Sequence, residues 1–335
     1  MQRPKISPDG VQAMNAEAAV SVTVPARLHL GFIDLEGGLG RRFGSVGLAV
    51  SGLDAVVEAK AARQSGVEGD PSGRARELLD LAAQQLGLSR GTRLRVRAAP
   101  PRHAGLGSGT QLALAVGAAV AAAHGRPFDP RAMAPQLGRG ARSGVGVAVF
   151  EQGGFIVDGG RGARPQVAPV LARYFFPSEW RVVLIHDSAH EGLHGQAERA
   201  AFAQLPAMSA QAAGELARLC LVGLMPAVIE QDFAVFAAVI DELQQRIGAY
   251  FAPCQGGAAY TSTAVGGLMA SLRDRLGLRA TGQSSWGPTG FIFVPDEALA
   301  RRVLSEINRY APSGGRLRGQ IVTGCNHGAI IEGRA

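Results

Sequence analysis

Apolar and polar residues alternate near the start of the chain, from residue 20 to residue 33. This period of two is that of a β-strand, whose successive side chains point to opposite faces. One face is apolar and carries Val22, Val24, Ala26, Leu28, Leu30 and Phe32. The opposite face carries Arg27, His29, Gly31 and Ile33. A guanidinium and an imidazole on one face indicate that this face lines a site or is exposed to water.

The rest of the chain shows helical and strand periodicities in an order that changes halfway. The pattern predicts helices over residues 74–87, 109–124, 130–138, 196–204, 208–223, 226–248, 261–276 and 296–310. It predicts further strands over 53–59 and 93–98, two around Gly153 and Gly154, and others over 180–187, 278–283, 289–295 and 319–325. Strands precede helices in the first half and helices precede strands in the second, which predicts two α+β domains. We expect a flexible N-terminal tail at 1–18, a first domain at 19–180 and a second domain at 181–335.

The composition indicates a globular chain that is long enough for two cores. Of its 335 residues 47% are hydrophobic, with regular Gly and Pro punctuation. The longest apolar run spans 12 residues, 112–123, and is shorter than the roughly 20 residues that cross a membrane. The N-terminal segment lacks the apolar region of a signal peptide, and three widely separated cysteines fit a reducing compartment. We therefore expect a cytoplasmic protein with no membrane partner.

The net charge of +7 comes almost entirely from arginine, since only Lys5 and Lys60 are lysines. Guanidinium groups grip carboxylates and phosphates at two points. The basic residues are scattered along the chain and form no continuous run, which argues against nucleic acid as a partner. A solvated surface or a small anionic substrate explains the charge better.

The segment AGLGSGTQ, residues 104–111, is the strongest local signal for a ligand. It lies between a predicted strand and a predicted helix, where glycines allow close backbone approach and the first free N–H groups of the helix attract an anion. It is no Walker A loop, since no lysine follows, and it lacks the features of a dinucleotide fingerprint. Ser108 and Thr110 could bind phosphate or cap the helix, and Ser108 could also reach Mg²⁺. The predicted phosphate-binding residues are Gly105, Leu106, Gly107, Ser108, Gly109 and Thr110.

Two late segments and the end of the first strand add further candidates. The loop TGQSSWGPTGF combines glycines, hydroxyl residues and a tryptophan of exposed type, which indicates either an anion-binding and stacking loop or a tight hairpin. Asp34, at the end of the first strand, could hold a metal or a proton or be a simple turn residue. The predicted substrate-binding residues are His29, Ser284, Ser285, Trp286, Gly287 and Asn326.

The sequence HEGLHG, residues 190–195, contains the H-E-x-x-H signature of zinc hydrolases. Such a site needs a stable helix beneath both histidines and a third ligand downstream. Gly192 and Gly195 disfavour the helix by about 1 kcal/mol each, and the next histidine is His327. We interpret the signature as a coincidence on a loop that leads into a helix.

Three segments together resemble the GHMP kinase superfamily: VTVPARLHLGFIDL, PPRHAGLGSGTQLALAVG and GQSSWGPTGF. The resemblance spans most of residues 20–330. It implies a two-domain α+β fold, with an N-terminal ribosomal-protein-fold-like α/β domain, a C-terminal ferredoxin-like domain, and a phosphorylated ligand in the cleft between them.

Two departures from the superfamily pattern count against kinase activity. The segment usually read as S-G-x-D, whose aspartate acts on the acceptor hydroxyl, is Ser143-Gly144-Val145-Gly146 here. The lysine often found in the first motif is absent around Arg27. An ATP-dependent small-molecule kinase remains the alternative, followed by a non-catalytic regulatory relative.

Within the superfamily the chain is similar to the β-ribofuranosylaminobenzene 5'-phosphate synthases, through RLHLGFIDLEGGLGRRFGSVGLAV, SGVGVAVFEQGGFIVDGG, EGLHGQAERAAF and GQSSWGPTGF. This resemblance implies that 5-phosphoribosyl 1-pyrophosphate reacts with 4-aminobenzoate, or its 4-hydroxy analogue, in tetrahydromethanopterin biosynthesis. Pyrophosphate and CO₂ are lost and a C-ribosyl arene 5'-phosphate forms. The resemblance also implies Mg²⁺ and a homodimer.

That chemistry assigns roles to particular residues. A cation should orient the benzoate carboxylate, with Arg27 as the first candidate. A base should accept a proton from the amino or hydroxyl substituent, and Asp34, Asp158 and Glu151 are unranked candidates. Mg²⁺ and the glycine loop should stabilise the departing pyrophosphate.

Overall fold

A computed structural model describes residues 19–164, 166–193, 195–311 and 315–334. The predicted tail at 1–18 lies outside the described residues. The strands are β1 (Ala19–Asp34), β2 (Gly44–Ala62), β3 (Gly66–Glu68), β4 (Gly91–Ala98), β5 (Phe155–Asp158), β6 (Val170–Tyr174), β7 (Arg181–Asp187), β8 (Thr281–Gln283), β9 (Gly290–Val294), β10 (Leu317–Thr323) and β11 (Ile330–Arg334). The helices are α1 (Arg74–Gln85), α2 (Ser108–Ala123), α3 (Pro130–Gln136), α4 (Val145–Gln152), α5 (Gly195–Gln204), α6 (Ala210–Leu219), α7 (Met225–Glu230), α8 (Phe233–Phe251), α9 (Thr263–Leu276) and α10 (Glu297–Tyr310).

The first sheet is built around the two long strands β1 and β2. Its strands run in the order β11-β1-β2-β4-β3, and β5 pairs with the first part of β2 and with β6. Strand β11, which the sequence pattern did not predict, pairs antiparallel with the start of β1. The sheet therefore takes strands from both sides of the predicted boundary at residue 180.

Helix α2 lies against this sheet and forms the centre of the first core. Its alanines are small enough to let β1, β2 and α1 pack closely around it, and most of its residues are buried. The helix is therefore held firmly, and its first turn, which starts at Ser108, is a rigid platform at the edge of the core.

The second sheet is antiparallel, with the strand order β10-β7-β9-β8. If the strands are numbered from β7, their spatial order is 4-1-3-2. Along the chain, the elements follow in the order β7, α9, β8, β9, α10 and β10. This combination is that of a ferredoxin-like domain. The predicted two-domain α+β fold is thus confirmed. Between β7 and α9, the helices α5 to α8 pack aromatic side chains against β1 and the second sheet, and this shared core joins the two sheets.

Helices α6 and α7 are continuous through one π-helical turn at Cys220–Leu224. By length and apolar composition, the combined run Ala210–Glu230 meets the criteria for a membrane-crossing helix, and 33% of its apolar window is buried in the fold. Core helices of globular proteins meet the same criteria, so the run is weak evidence on its own.

Two predicted elements were wrong. Residues 145–152 form helix α4 and not a strand, because Val145, Val147 and Val149 are completely buried against the sheet and α2, and this packing outweighs their preference for strands. The helix predicted over 226–248 is two helices, which separate at Gln231 with a φ of 59°. The chain turns there before Asp232 caps α8.

Asp187, at the end of β7, is a buried carboxylate that ties three parts of the second domain together. It accepts hydrogen bonds from Arg316, just before β10, and from Ser262, the N-cap of α9. Burial raises the pKa of Asp187, but these hydrogen bonds outweigh it and lower the pKa to about 2. The ionised form is therefore stabilised in the folded protein.

We expect Asp187→Asn to lower the free energy of unfolding at pH 7 by about 2 kcal/mol. A carboxyl whose pKa is depressed on folding stabilises the protein above its unfolded pKa and loses that contribution as pH falls through about 2. The difference between the two proteins should therefore shrink below pH 4. Urea unfolding between pH 7 and pH 2 measures it, with Asp274→Asn on the exposed side of α9 as the control. A pH-independent difference would contradict the assigned role.

Candidate active site

A cleft of about 980 Å³ runs between the two domains, with the glycine loop on one wall. The first domain contributes β1, the segment before α2 and the turn before α4. The second domain contributes the start of α5 and the loop after β8. The lining includes six arginines, Arg27, Arg74, Arg97, Arg102, Arg139 and Arg142, and two acids, Asp70 and Glu198.

The glycine loop adopts backbone conformations that only glycine takes without strain. Gly105 and Gly107 have φ values of 78° and 73°. A Cβ on Gly105 would collide with the carbonyl oxygen of Ser284 in the second domain. The N–H groups of Thr110 and Gln111 return to the carbonyl of Gly107. The N–H groups of Ser108 and Gly109 belong to the first turn, where no acceptor within the helix exists, and they suit an anion.

Three guanidinium groups converge on this loop. A Cβ on Gly109 would lie 3.3 Å from Arg74 and 3.4 Å from Arg139, and one on Gly107 would lie 2.5 Å from the side chain of Arg27. Burial, followed by repulsion from Arg102, lowers the pKa of Arg74. Burial lowers the pKa of Arg27 to about 10, although the nearby negative charge of Glu198 raises it. Like charges held together at a helix N-terminus make a strong site for a multiply charged anion.

Arg142 also lines the cleft. Its guanidinium is paired with Glu198 on α5 and lies 4.9 Å from the centroid of the Phe202 ring. Glu198 thus fixes the position of one cleft cation and attracts a second, Arg27. This arrangement leaves the cleft with a large excess of positive charge.

The loop after β8 closes the cleft from the second domain. Ser284 donates to the carbonyl of Gly105 at 2.7 Å and accepts from the backbone N–H of His29 at 3.1 Å. Gly287 approaches the backbone of Gly105 so closely that a Cβ could not be accommodated. Trp286, predicted as an exposed type, is only 3% exposed and packs edge-on against Phe251 with ring centroids 4.9 Å apart. The prediction of an exposed tryptophan was therefore wrong.

His29 lies on β1 beside Arg27 and is 3% exposed. Burial, followed by repulsion from Arg27 and Arg142, lowers its pKa well below the ordinary value, so the imidazole is neutral near pH 7. Within the described ranges neither ring nitrogen has a hydrogen-bond partner. The same holds, among those residues, for the indole nitrogen of Trp286. Buried polar atoms of this kind are usually satisfied by a ligand or water.

Several predicted site residues lie elsewhere. Asp34 caps a turn by accepting from the N–H groups of Glu36 and Gly37. Asp158 is buried and accepts hydrogen bonds from Ser45, Ser143 and the N–H groups of Gly144 and Gly160. Burial raises the pKa of Asp158 and outweighs these hydrogen bonds, which lower it. Glu151 pairs with Arg131, and Asn326 bridges the backbone of Phe176. None of these four side chains lines the cleft.

The features expected of a kinase are also absent from the lining. Gly146 faces Thr110, and a Cβ there would lie 3.0 Å from the threonine methyl, so a carboxylate in its place would be crowded. No lysine lines the cleft in the part of the chain that the structure describes. Lys60 lies on β2 and is exposed.

The described part of the H-E-x-x-H segment, residues 190–193, is not helical. Ser188 and Ala189 form a turn, residues 190–193 are irregular, and α5 starts only at Gly195. This confirms the interpretation as a loop that leads into a helix. His194 lies outside the described residues.

Arg74, Arg139 and Glu198 were missed from the sequence. Arg74 starts α1 and Arg139 follows α3, so only tertiary packing brings them to the first turn of α2. Gly73 precedes Arg74, and Gly138 and Gly140 flank Arg139, but in the sequence these glycines look like ordinary turn residues next to helices. Glu198 lies one turn into α5, and its charge next to Arg199 resembles an ordinary exposed helix surface.

Comparison with known proteins agrees with this architecture. Residues 73–154 match the model of the GHMP kinases N terminal domain. The fold is similar to the crystal structure of mevalonate diphosphate decarboxylase from Staphylococcus aureus, with a TM-score of 0.67 at 13% identity over 94% of this chain and 98% of that one. The fold and the matched segment define a protein of the GHMP kinase fold class.

Two curated relatives narrow the class. One, the β-ribofuranosylphenol 5'-phosphate synthase of Methanothermobacter thermautotrophicus, is 36% identical over 67% of this chain and 74% of its own length. That of Archaeoglobus fulgidus is 35% identical over 66% of this chain and 74% of its own. The chain therefore belongs to the family of β-ribofuranosylphenol 5'-phosphate synthases.

We expect Gly105→Ala to destabilise the protein by about 2–4 kcal/mol, because the new methyl meets backbone and the φ of 78° disfavours alanine. Thermal unfolding by circular dichroism measures the change. Gly214→Ala, on the exposed side of α6 with open space around it, is the control and should be neutral or stabilising by up to about 1 kcal/mol. Equal melting temperatures for Gly105→Ala and the unmodified protein would show that the loop does not touch the second domain as described.

Proposed function

We propose that this enzyme condenses 5-phosphoribosyl 1-pyrophosphate with a para-substituted benzoate, with release of pyrophosphate and CO₂, in tetrahydromethanopterin biosynthesis. The observation that carries the proposal is the set of guanidinium groups around the first turn of α2, in a cleft that lacks a kinase carboxylate at Gly146. The donor carries phosphate at both ends of its sugar, and a cleft lined by six arginines suits it.

The diphosphate belongs at the glycine loop. Donation from the N–H groups of Ser108 and Gly109 and from Arg74 and Arg139 stabilises the negative charge that grows on the leaving group. The 5'-phosphate then extends toward the remaining cleft arginines. Arg27 stabilises the loop by donating a hydrogen bond to the carbonyl of Gly105 at 2.9 Å.

The proposed reaction balances without net proton transfer. A bond forms between the anomeric carbon and the ring carbon that bears the carboxylate, while the anomeric C–O bond breaks and its electron pair leaves with the diphosphate. CO₂ then leaves the same ring carbon, and the electrons of that C–C bond restore the aromatic ring. The carboxylate charge is replaced by one further charge on the diphosphate.

This balance reduces the demand for a general base. Proton removal from the para substituent is needed at most transiently, which is consistent with the positions of Asp34, Asp158 and Glu151 outside the cleft lining. Glu198, the carboxylate on α5, instead orients Arg142 and lowers the repulsion among the cleft cations.

Mg²⁺ is part of the proposal. Magnesium is usually held by one or two carboxylates together with substrate phosphates. The cleft offers the Ser108 hydroxyl, Asp70 and Glu198. These donors fit an ion that the diphosphate holds for the most part, with Ser108 as the protein ligand at the glycine loop. When bound, such an ion would neutralise charge on the leaving group.

We further place the enzyme in the cytoplasm as a homodimer without nucleic acid or membrane partners. Exposed apolar side chains on neighbouring helical segments, Leu221, Val222 and Ile229, support self-association. Sedimentation equilibrium of the purified protein gives its mass in solution.

Incubation with 5-phosphoribosyl 1-pyrophosphate and carboxyl-labelled benzoates tests the reaction. We expect labelled CO₂ and one equivalent of pyrophosphate with 4-aminobenzoate or 4-hydroxybenzoate, and comparison of kcat/KM identifies the preferred acceptor. The relatives' name specifies a phenol product, which a 4-hydroxybenzoate acceptor would give. Phosphate transfer from ATP to a small alcohol, without CO₂ release, would instead establish a kinase.

Arg139→Ala tests the diphosphate position. Loss of a charge-assisted donor beside Gly109 should raise the KM for the ribosyl donor at least tenfold, about 1.4 kcal/mol, and leave the KM for the benzoate unchanged. Arg302→Ala on the exposed side of α10 is the matched control. Steady-state kinetics at fixed ionic strength measure both. An unchanged donor KM in Arg139→Ala would place the diphosphate elsewhere.

A further inference from the structure

A second cavity of about 240 Å³ lies behind the cleft, mainly within the second domain. Helices α8 and α9 and strand β8 form most of its walls, through residues such as Ile247, Gly248, Met269 and Gly282. We call this cavity the inner chamber. It is smaller than the roughly 300–1,000 Å³ of sites that hold drug-sized ligands, and its size suits a single ring.

The inner chamber and the cleft share one wall. His29, Phe32, Ser285 and Trp286 line both cavities. The aromatic members of this wall are packed together, with ring centroids of His29 and Phe32 4.6 Å apart. Gln245, Ala259 and Ala270 also line the chamber and are exposed, which indicates that the chamber opens to solvent at these residues. The chamber thus connects solvent on one side with the shared wall on the other.

Most polar groups of the inner chamber already have partners. Arg273 is paired with Asp241, Gln244 donates to the carbonyl of Leu30, and Gln283 accepts from Thr261. Among the described residues, the fully buried side-chain atoms of this lining that lack a partner are at the shared wall: both nitrogens of His29 and the indole nitrogen of Trp286. These groups are buried and uncharged, so the wall offers hydrogen bonds without the phosphate-binding charge of the cleft.

From this geometry we propose that the inner chamber is the binding site of the aromatic acceptor, which enters from the Ala270 side with its carboxylate toward His29 and Trp286. The proposal rests on the proposed function. The ring carbon that bears the carboxylate must reach the anomeric carbon in the cleft, so the carboxylate end lies at the shared residues, where the two cavities meet, and the para substituent points back toward the Ala270 opening.

This placement also explains how CO₂ is lost. The indole N–H and one imidazole N–H orient the carboxylate, while the surrounding rings of Phe32 and Trp286 exclude water. Desolvation disfavours the carboxylate relative to neutral CO₂. Because donor and acceptor use different openings, neither substrate blocks the entry of the other.

Photolabelling of the unmodified protein with 4-azidobenzoate, without ribosyl donor, tests the position directly. We expect label on the chamber segments 244–248 and 266–283, and protection by excess 4-aminobenzoate. Label confined to the cleft segments 97–110 and 139–146, or chamber label that 4-aminobenzoate does not reduce, would overturn the inference. The outcome does not depend on turnover, so it is separate from the assay of the proposed reaction.

A blocking variant tests the route of entry. Ala270→Trp at the chamber opening should raise the KM for 4-aminobenzoate, and its dissociation constant in equilibrium dialysis, at least tenfold, with the donor KM unchanged. Ala249→Trp, exposed on α8 but outside the chamber, is the control. Unchanged constants in Ala270→Trp, in a protein whose unmodified form releases CO₂, would contradict entry on this side and leave the proposed reaction intact.

Discussion

The contact of three backbone segments through Ser284 is the constraint on which the rest of the site depends. Its hydroxyl joins the first strand at His29 to the glycine loop at Gly105, and Gly287 presses against the same loop. No side chain larger than hydrogen fits at either glycine. The two domains are therefore fixed to each other at the point where a ligand of the cleft would be held. The same junction positions the wall that the two cavities share.

The electrostatics of the cleft work against the stability of the protein without ligand. Arg27, Arg74 and Arg139 meet at a helix end that is itself positive, and burial lowers the pKa of the first two. Rigid surroundings make this possible, because α2 is enclosed by the sheet and neighbouring helices. A polyanion relieves the repulsion, so binding and local stability are coupled.

Local signals in the sequence were enough to predict the glycine loop and the first strand, whereas the ferredoxin-like half was implied by the family resemblance. Gly105 and Gly107 stand between a strand pattern and a helix pattern, and both have the positive φ for which glycine is suited. The two residues on one face of β1, Arg27 and His29, line the cleft, which is one of the two alternatives that the strand pattern left open.

Other features arise only when the chain is folded. Helix α4 reads as a strand until its valines are seen to be enclosed on all sides, and β11 needs the open edge of β1 as a partner. Arg74 starts α1, Arg139 follows α3, and the two meet at the first turn of α2. Contacts between residues so far apart in the sequence produce no periodic pattern, which is why these arginines were not predicted.

The restriction of the cleft's charge to guanidinium has a chemical consequence. Guanidinium groups keep their protons near neutral pH even where burial lowers their pKa, as it does at Arg27, whereas an amine in such surroundings would lose part of its charge. Reagents that acylate amines should therefore leave this cleft untouched. Dicarbonyl compounds such as phenylglyoxal, which condense with guanidinium groups, should instead inactivate the enzyme, and pyrophosphate should protect it.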